Sequence, residues 1–194
     1  MNIIYTYVRS EELAEYTLPH LMNYADRIGA DLSVARRASA PTTREAYMKE
    51  AVMCRLRGNE LLDDYEKVAY FDTGVLVLDG APNLFVHDLA LFEGKHDGFG
   101  SYVSTYNHFS KDNIVPSGQY YDTDIMVMSA KVFSEPKEYI CLARPEADHF
   151  NYEIQRKKLN VVSFEISDRG YFVFTSVGSD TEKLMIVTKV KEIE

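Results

Sequence analysis

"YFDTGVLVLDG", residues 70–80, sets an aromatic pair before Asp72, then runs four apolar residues from Val75 to Leu78 into a turn at Asp79-Gly80. Apolar runs that do not alternate with polar residues predict a central strand covered on both faces. A carboxylate at the tip of such a strand is suited to hold a metal that in turn holds a phosphate, an arrangement that wants a second carboxylate two residues on. Here that place is Gly74.

The bulk numbers set bounds around this stretch. The chain of 194 residues is long enough for one domain with a sizeable core. Its 46% hydrophobic and 26% charged residues are ordinary globular composition, and fourteen Tyr and ten Phe without a Trp predict an aromatic-rich core or cleft. A formal net charge of −9 argues against a nucleic-acid groove or an anionic membrane surface as partner. Cys54 and Cys141 have no metal-type spacing, sit in apolar surroundings and read as buried thiols of a reducing cytoplasm. Met1 leads directly into "NIIYTYV", with neither a basic leader nor a long apolar run, so we expect no signal peptide and no membrane span.

Along the chain, β-branched and aromatic residues predict a first buried strand over 2–8. Ser10 is a suitable N-cap for a helix with Glu11 and Glu12 in its first turn, Leu18, Leu21, Ala25 and Ile28 at helical spacing, and Gly29 as its stop. Pro19 is expected to kink that helix or begin its second half. A short strand follows at 31–35, then a long helical pattern over 40–65 with Tyr47, Val52, Leu56, Leu61 and Leu62 as apolar positions. "KVAYF" and "GVLVL" flank Asp72 as strands, and "APNLF" is a helical turn. Residues 87–120 carry Gly94, Gly98, Gly100, Pro116 and Gly118 and read as loops over a cleft. "YYDTDIMVM" (120–128) is a strand, 129–143 and 145–159 are helices, 160–166 and 171–177 are strands, and 179–194 is a terminal helix. No linker divides this alternation, which predicts one α/β domain over residues 1–194 with a mixed, mostly parallel sheet and helices on both faces.

"YFDTGVLVL" and "YYDTDIMVM" match in residue type position for position. Strands that bring Asp72, Asp122 and Asp124 to one sheet edge can line one cleft, although buried strands also resemble each other because they draw on the same few residues. His87, His96, His108 and His149 lack a zinc-type spacing and read as loop and surface residues. No nucleophile elbow, P-loop or dinucleotide fingerprint occurs.

The order of these pieces resembles the GT-A glycosyltransferases, nearest to family eight, which includes glycogenin and the bacterial lipopolysaccharide galactosyl- and glucosyltransferases. The likeness runs through residues 47–85, through "YDTDIMVM", and through "EADHFNYEI" (146–154), which keeps Asn151 but has Ala147 where the family has Gln. It implies a nucleotide-diphospho-sugar transferase domain that takes a sugar from a nucleotide sugar, a UDP-sugar in the first place, to an acceptor the sequence does not identify. The alternative is an inactive relative that binds sugar, nucleotide or a protein partner. By resemblance Tyr5 and Thr6 meet the nucleobase, Arg9, Lys49, Asp72 and Lys183 serve the nucleotide and its diphosphate, Asp122 and Asp124 face the sugar, and Asp148 lies near the reacting centre. Arg9, Lys49 and Lys183 are also readable as solvated surface charges.

The family uses Mn²⁺ or Mg²⁺ held by the second Asp of Asp-x-Asp and by a late His. These places are Gly74 and Thr175 here. Two expectations follow. Either Asp124, with Asp72 or Asp122, holds a displaced cation, or none binds and Lys183 or Arg9 neutralises the diphosphate directly.

Overall fold

The computed structural model describes residues 1–94, 98–139, 145–164 and 168–174. The N-terminal residues pair as their β-branched composition predicts. Strand β1 (Asn2–Val8) lies between β2 (Asp31–Arg36) and β3 (Lys67–Asp72), parallel to both, with Tyr7 opposite Asp72. Beyond β3 come β6 (Tyr120–Met128), β5 (Leu89–Gly94) and β7 (Val162–Ser163), giving the order β2-β1-β3-β6-β5-β7. β6 is antiparallel to both neighbours, and β5 and β7 are parallel. The sheet is therefore mixed and mostly parallel, as expected.

Helix α1 (Glu11–Ile28) starts at Ser10, whose side chain accepts from the Leu13 amide, and stops at Gly29 in the left-handed region (φ 67°). It runs through Pro19 as one element, so the expected division there is not found. The long pattern over 40–65 is two helices, α2 (Arg44–Leu56), capped by Thr43, and the single turn α3 (Gly58–Leu61).

The period-2 alternation of strands sorts the core into two layers. Ile4, Ala69, Phe71, Ile125 and Val127 face Leu21, Tyr24 and Ala25 of α1. Ile3, Tyr5, Val68, Tyr70, Met126 and Met128 face the other way, onto Val52 and Leu56 of α2 and Phe150 and Ile154 of α5 (Pro145–Lys157). Arg9, Asp72 and Asp124 have the parity of this second set, which puts them on the α2–α5 face, whereas Asp122 lies opposite Phe92 of the first set.

Several expectations are corrected. Val75–Val77 forms β4, which pairs with β8 (Phe172–Phe174) in a separate two-stranded sheet, so the apolar run after Asp72 does not extend the central strand. The segment read as loops contains β5 and a twelve-residue helix α4 (Phe99–Ser110). Conversely, 129–139 is not helical, because its backbone is engaged by side chains of other elements. Asn59 Nδ2 donates to the Phe133 carbonyl (3.0 Å), Lys157 Nζ to that of Val132 (2.7 Å), and the Lys137 amide donates to Tyr106 Oη (2.9 Å). Of the strands expected over 160–166 and 171–177, the described residues form β7 and β8, and 165–166 and 175–177 lie outside the described residues. Tyr47, read as an apolar core position, is 39% exposed. His149 is buried on α5 with Nε2 2.7 Å from the Ser134 carbonyl, and burial lowers its pKa; His108 lies on α4. Cys141, His96, Thr175, Lys183 and the expected terminal helix lie outside the described residues. No helix among the described residues is long and apolar enough to cross a membrane.

Candidate functional site

Asp72 closes β3 at the carboxyl end of the sheet, and the following turn is fastened on two sides. Thr73 Oγ1 donates to the Tyr7 carbonyl (2.6 Å), while the Thr73 carbonyl accepts the Thr17 hydroxyl from α1 (2.9 Å). The carboxylate itself is buried and surrounded by donors. Oδ1 accepts the Gly74 amide at 3.0 Å, and Oδ2 accepts the Tyr70 hydroxyl at 3.2 Å. Oδ2 also takes a hydrogen bond from Arg9 Nη2, and Arg55 Nη2 lies 3.7 Å from it. Desolvation works to raise the Asp72 pKa, but Arg9, Arg55, the Gly74 amide and Tyr70 outweigh it and hold the carboxyl below its usual value. Asp72 is an anion.

Arg55 is the residue that sequence reasoning missed. It is 1% exposed, yet each edge of its guanidinium is used. Nε donates to the Thr123 carbonyl (3.0 Å), Nη1 to that of Ala51 (2.9 Å) and Nη2 to Asp124 Oδ1 (3.4 Å), and the group sits 5.0 Å from the Tyr70 ring centroid. Its signal was present: Met48, Ala51, Val52 and Arg55 fall at helical spacing on one buried stripe, so position 55 belongs to the core face of α2.

Arg55 also explains where Asp124 sits. The β5–β6 register breaks between Leu91, opposite Met126, and Phe92, opposite Asp122, so residues 123–125 bulge from that ladder. Bulges of this kind re-aim side chains beside sites. Here the bulge is tied down through the Thr123 carbonyl. The Asp124 side chain keeps 43% of its surface open, and its pKa rises to about 6 through desolvation first, then Asp72, with Arg55 opposing and Asp122 and Glu146 adding to the rise.

The structure thus brings together Arg9, Asp72 and Asp124 of the expected residues. The Asp122 carboxylate lies against Gly94, where a Cβ would come within 2.7 Å of its Oδ1. Asp148 is fully buried and accepts the Tyr120 hydroxyl at 3.2 Å, so it lies beneath the surface of α5 rather than in an open cleft. Tyr5 and Thr6 are 0% and 1% exposed and present no open face to a base. Lys49 is exposed on α2. The open ring at this edge is Tyr47, whose hydroxyl accepts from Arg9 Nη1 (3.1 Å) and whose centroid is 6.0 Å from the Arg9 guanidinium and 5.9 Å from that of Arg37.

These residues do not fit the divalent cation that the resemblance implies. Both Asp72 oxygens are occupied by donors, the second motif position supplies no oxygen, and among the described residues no group of three or more His, Cys, Asp or Glu side chains converges.

No family model matches the chain, and no curated protein matches its sequence. Its architecture does have solved counterparts. A glycosyltransferase involved in glycosylation of the major capsid of PBCV-1 is similar over 99% of both chains, with a TM-score of 0.62 and 11% identity. The galactosyltransferase LgtC, solved with donor and acceptor sugar analogues, is similar over 83% of this chain and 73% of its own, with a TM-score of 0.52 and 11% identity. An active-site mutant of LgtC gives a TM-score of 0.54 at 12% identity over 93% and 80% of the two chains. The fold is the GT-A-like fold of glycosyltransferases. Identities this low define the fold and leave the activity to the site.

Proposed function

We propose that this chain is a glycosyltransferase that takes a nucleoside diphosphate sugar, a UDP-sugar in the first place, at the carboxyl edge of β1 and β3 and passes the sugar to an acceptor. The observation that carries this reading is the convergence of Arg9, Asp72 and Asp124 on one face of the sheet edge, where open α/β sheets take their ligands. In this reading Arg9 meets the diphosphate, Tyr47 offers its open ring to the base, and Asp124 faces the sugar. Asp122 shapes the wall beside Asp124, and Asp148 acts through Tyr120 and α5 rather than by touching substrate. Lys49 and Lys183 remain candidates for the outer diphosphate.

A second reading, binding without transfer, is favoured by the burial of Asp148, Tyr5 and Thr6. One assay separates the two. The protein is incubated with UDP-glucose, UDP-galactose and GDP-mannose, and the release of UDP or GDP is measured beside binding of the same compounds. Transferase chemistry predicts release from a UDP-sugar above the rate in buffer, lost on Asp124→Asn with the fold intact. Binding without release from any of the three would select the second reading.

A further inference from the structure

We propose that the site binds the diphosphate without a divalent cation, with the Arg9 guanidinium seated where the ion would be and Asp72 acting as the anchor of that guanidinium. The inference rests on the nucleotide-sugar reading and specifies how that site neutralises its ligand.

Three features of the site lead to it. The first is the state of Asp72. Hard cations need several oxygens with free lone pairs, and here Oδ2 is shared among Arg9, Tyr70 and the nearby Arg55 while Oδ1 takes the Gly74 amide. A dication arriving at Asp72 would displace these donors and stand beside two guanidiniums, an arrangement that like-charge repulsion opposes.

The second is the state of Arg9. Its side chain is only 8% exposed, Nη2 is committed to Asp72 and Nη1 to the Tyr47 hydroxyl, and Nε is buried without a hydrogen-bond partner among the described residues. A buried donor left unmade is costly, and a phosphoryl oxygen supplies the acceptor it lacks. Guanidinium suits this role because it holds its charge at any working pH and presents its donors in a fixed fork that matches phosphate.

The third is the division of labour between the two arginines. The donors of Arg55 are engaged by Thr123, Ala51 and Asp124, so Arg55 fixes the charge and position of Asp72 rather than reaching ligand. Arg9 stands at the end of β1, at the rim of the same face, with the open Tyr47 ring beside it. Arg9 is the ligand-facing cation, and Asp72 and Arg55 are positioning residues.

The test is calorimetric titration of the full chain with UDP and with GDP, once in EDTA and once in excess Mn²⁺. The expected result is binding of one nucleotide with the same Kd, within about twofold, in both buffers. Arg9→Ala should weaken it by at least about tenfold in EDTA, with Arg9→Lys intermediate, because an ammonium keeps the charge and loses the fork. Arg55 remains to neutralise Asp72 in either variant. If Arg9→Ala does not fold, titration of the wild-type chain with Mn²⁺ alone, followed by electron paramagnetic resonance, decides the matter: no site-bound ion is expected. Binding that appears only with Mn²⁺, or a bound Mn²⁺ lost in Asp72→Asn, overturns the inference while leaving the nucleotide-sugar reading standing. No binding of either nucleotide in either buffer overturns both.

Discussion

Neutralising Asp72 takes from Arg9 its buried ion-pair partner and leaves Arg55 with Asp124 alone. Asp72→Asn should therefore lower stability by about 3–5 kcal/mol, the usual cost of breaking a buried ion pair from one side. Asp124→Asn should cost under about 1 kcal/mol, since that carboxylate keeps 43% of its surface open and water screens it. Urea denaturation of the two variants checks the contrast, and equal losses would mean that Asp72 is not the hub of the cluster. At this scale the sequence was partly legible. Asp72 announced itself as a polar residue at the tip of an apolar run, and Arg9 as a cation at a strand end. Arg55 was hidden by its neighbours in "CRLRGNE", where charge suggests a solvated face, although its spacing from Met48, Ala51 and Val52 assigns it to the core. Tyr47 erred the other way, because an aromatic in an amphipathic pattern reads as core until its exposed position is seen.

Elements were legible where one local pattern ruled. Helix α1 with its Ser10 cap and Gly29 stop, and β6 to the residue, came directly from periodicity and capping chemistry. They failed where long-range contacts decided. Residues 129–139 have a helix-compatible composition but give their carbonyls to Asn59 and Lys157. Of the glycines that made 87–120 read as loop, Gly94 serves packing, its missing Cβ leaving room for Asp122, while a Cβ at Gly100 or Gly118 would meet nothing within 4 Å. Gly94→Ala should cost about 1–3 kcal/mol through this clash, measurable as a lower melting temperature. Helix α5 supplies a pH prediction. Desolvation disfavours the Glu153 anion, but Arg156, Lys157 and Ser134 outweigh it and bring its pKa to about 2. Because the folded pKa lies below the usual 4.5, this stabilisation is present above pH 4.5 and is lost as pH falls toward about 2. Glu153→Gln should flatten the stability profile in that window, as read from urea midpoints at pH 7 and pH 3. An unchanged slope would show that the three partners do not hold its charge.

For the whole molecule, the α/β alternation was enough to give a mostly parallel sheet, and the echo between residues 70–78 and 120–128 correctly put two aspartate-bearing strands side by side. What alternation does not reveal is direction: β6 runs against β3, which is why the start of one strand meets the end of the other at the same edge. The separate β4–β8 ribbon was also beyond reach, because β4 is as apolar as a central strand. Among the described residues, a second place that could take a polar ligand, besides the Arg9–Asp72 edge, is a cavity of about 440 Å³ lined by residues including Asn113, Tyr121, Gln155 and Lys158. The most direct measurement is a crystal structure of the full chain with UDP. We predict diphosphate oxygens within hydrogen-bonding distance of Arg9, at the carboxyl ends of β1 and β3, with Asp72 still bound to the guanidinium. UDP seated in the second cavity, or a diphosphate bridged by a metal to a freed Asp72, would contradict that prediction.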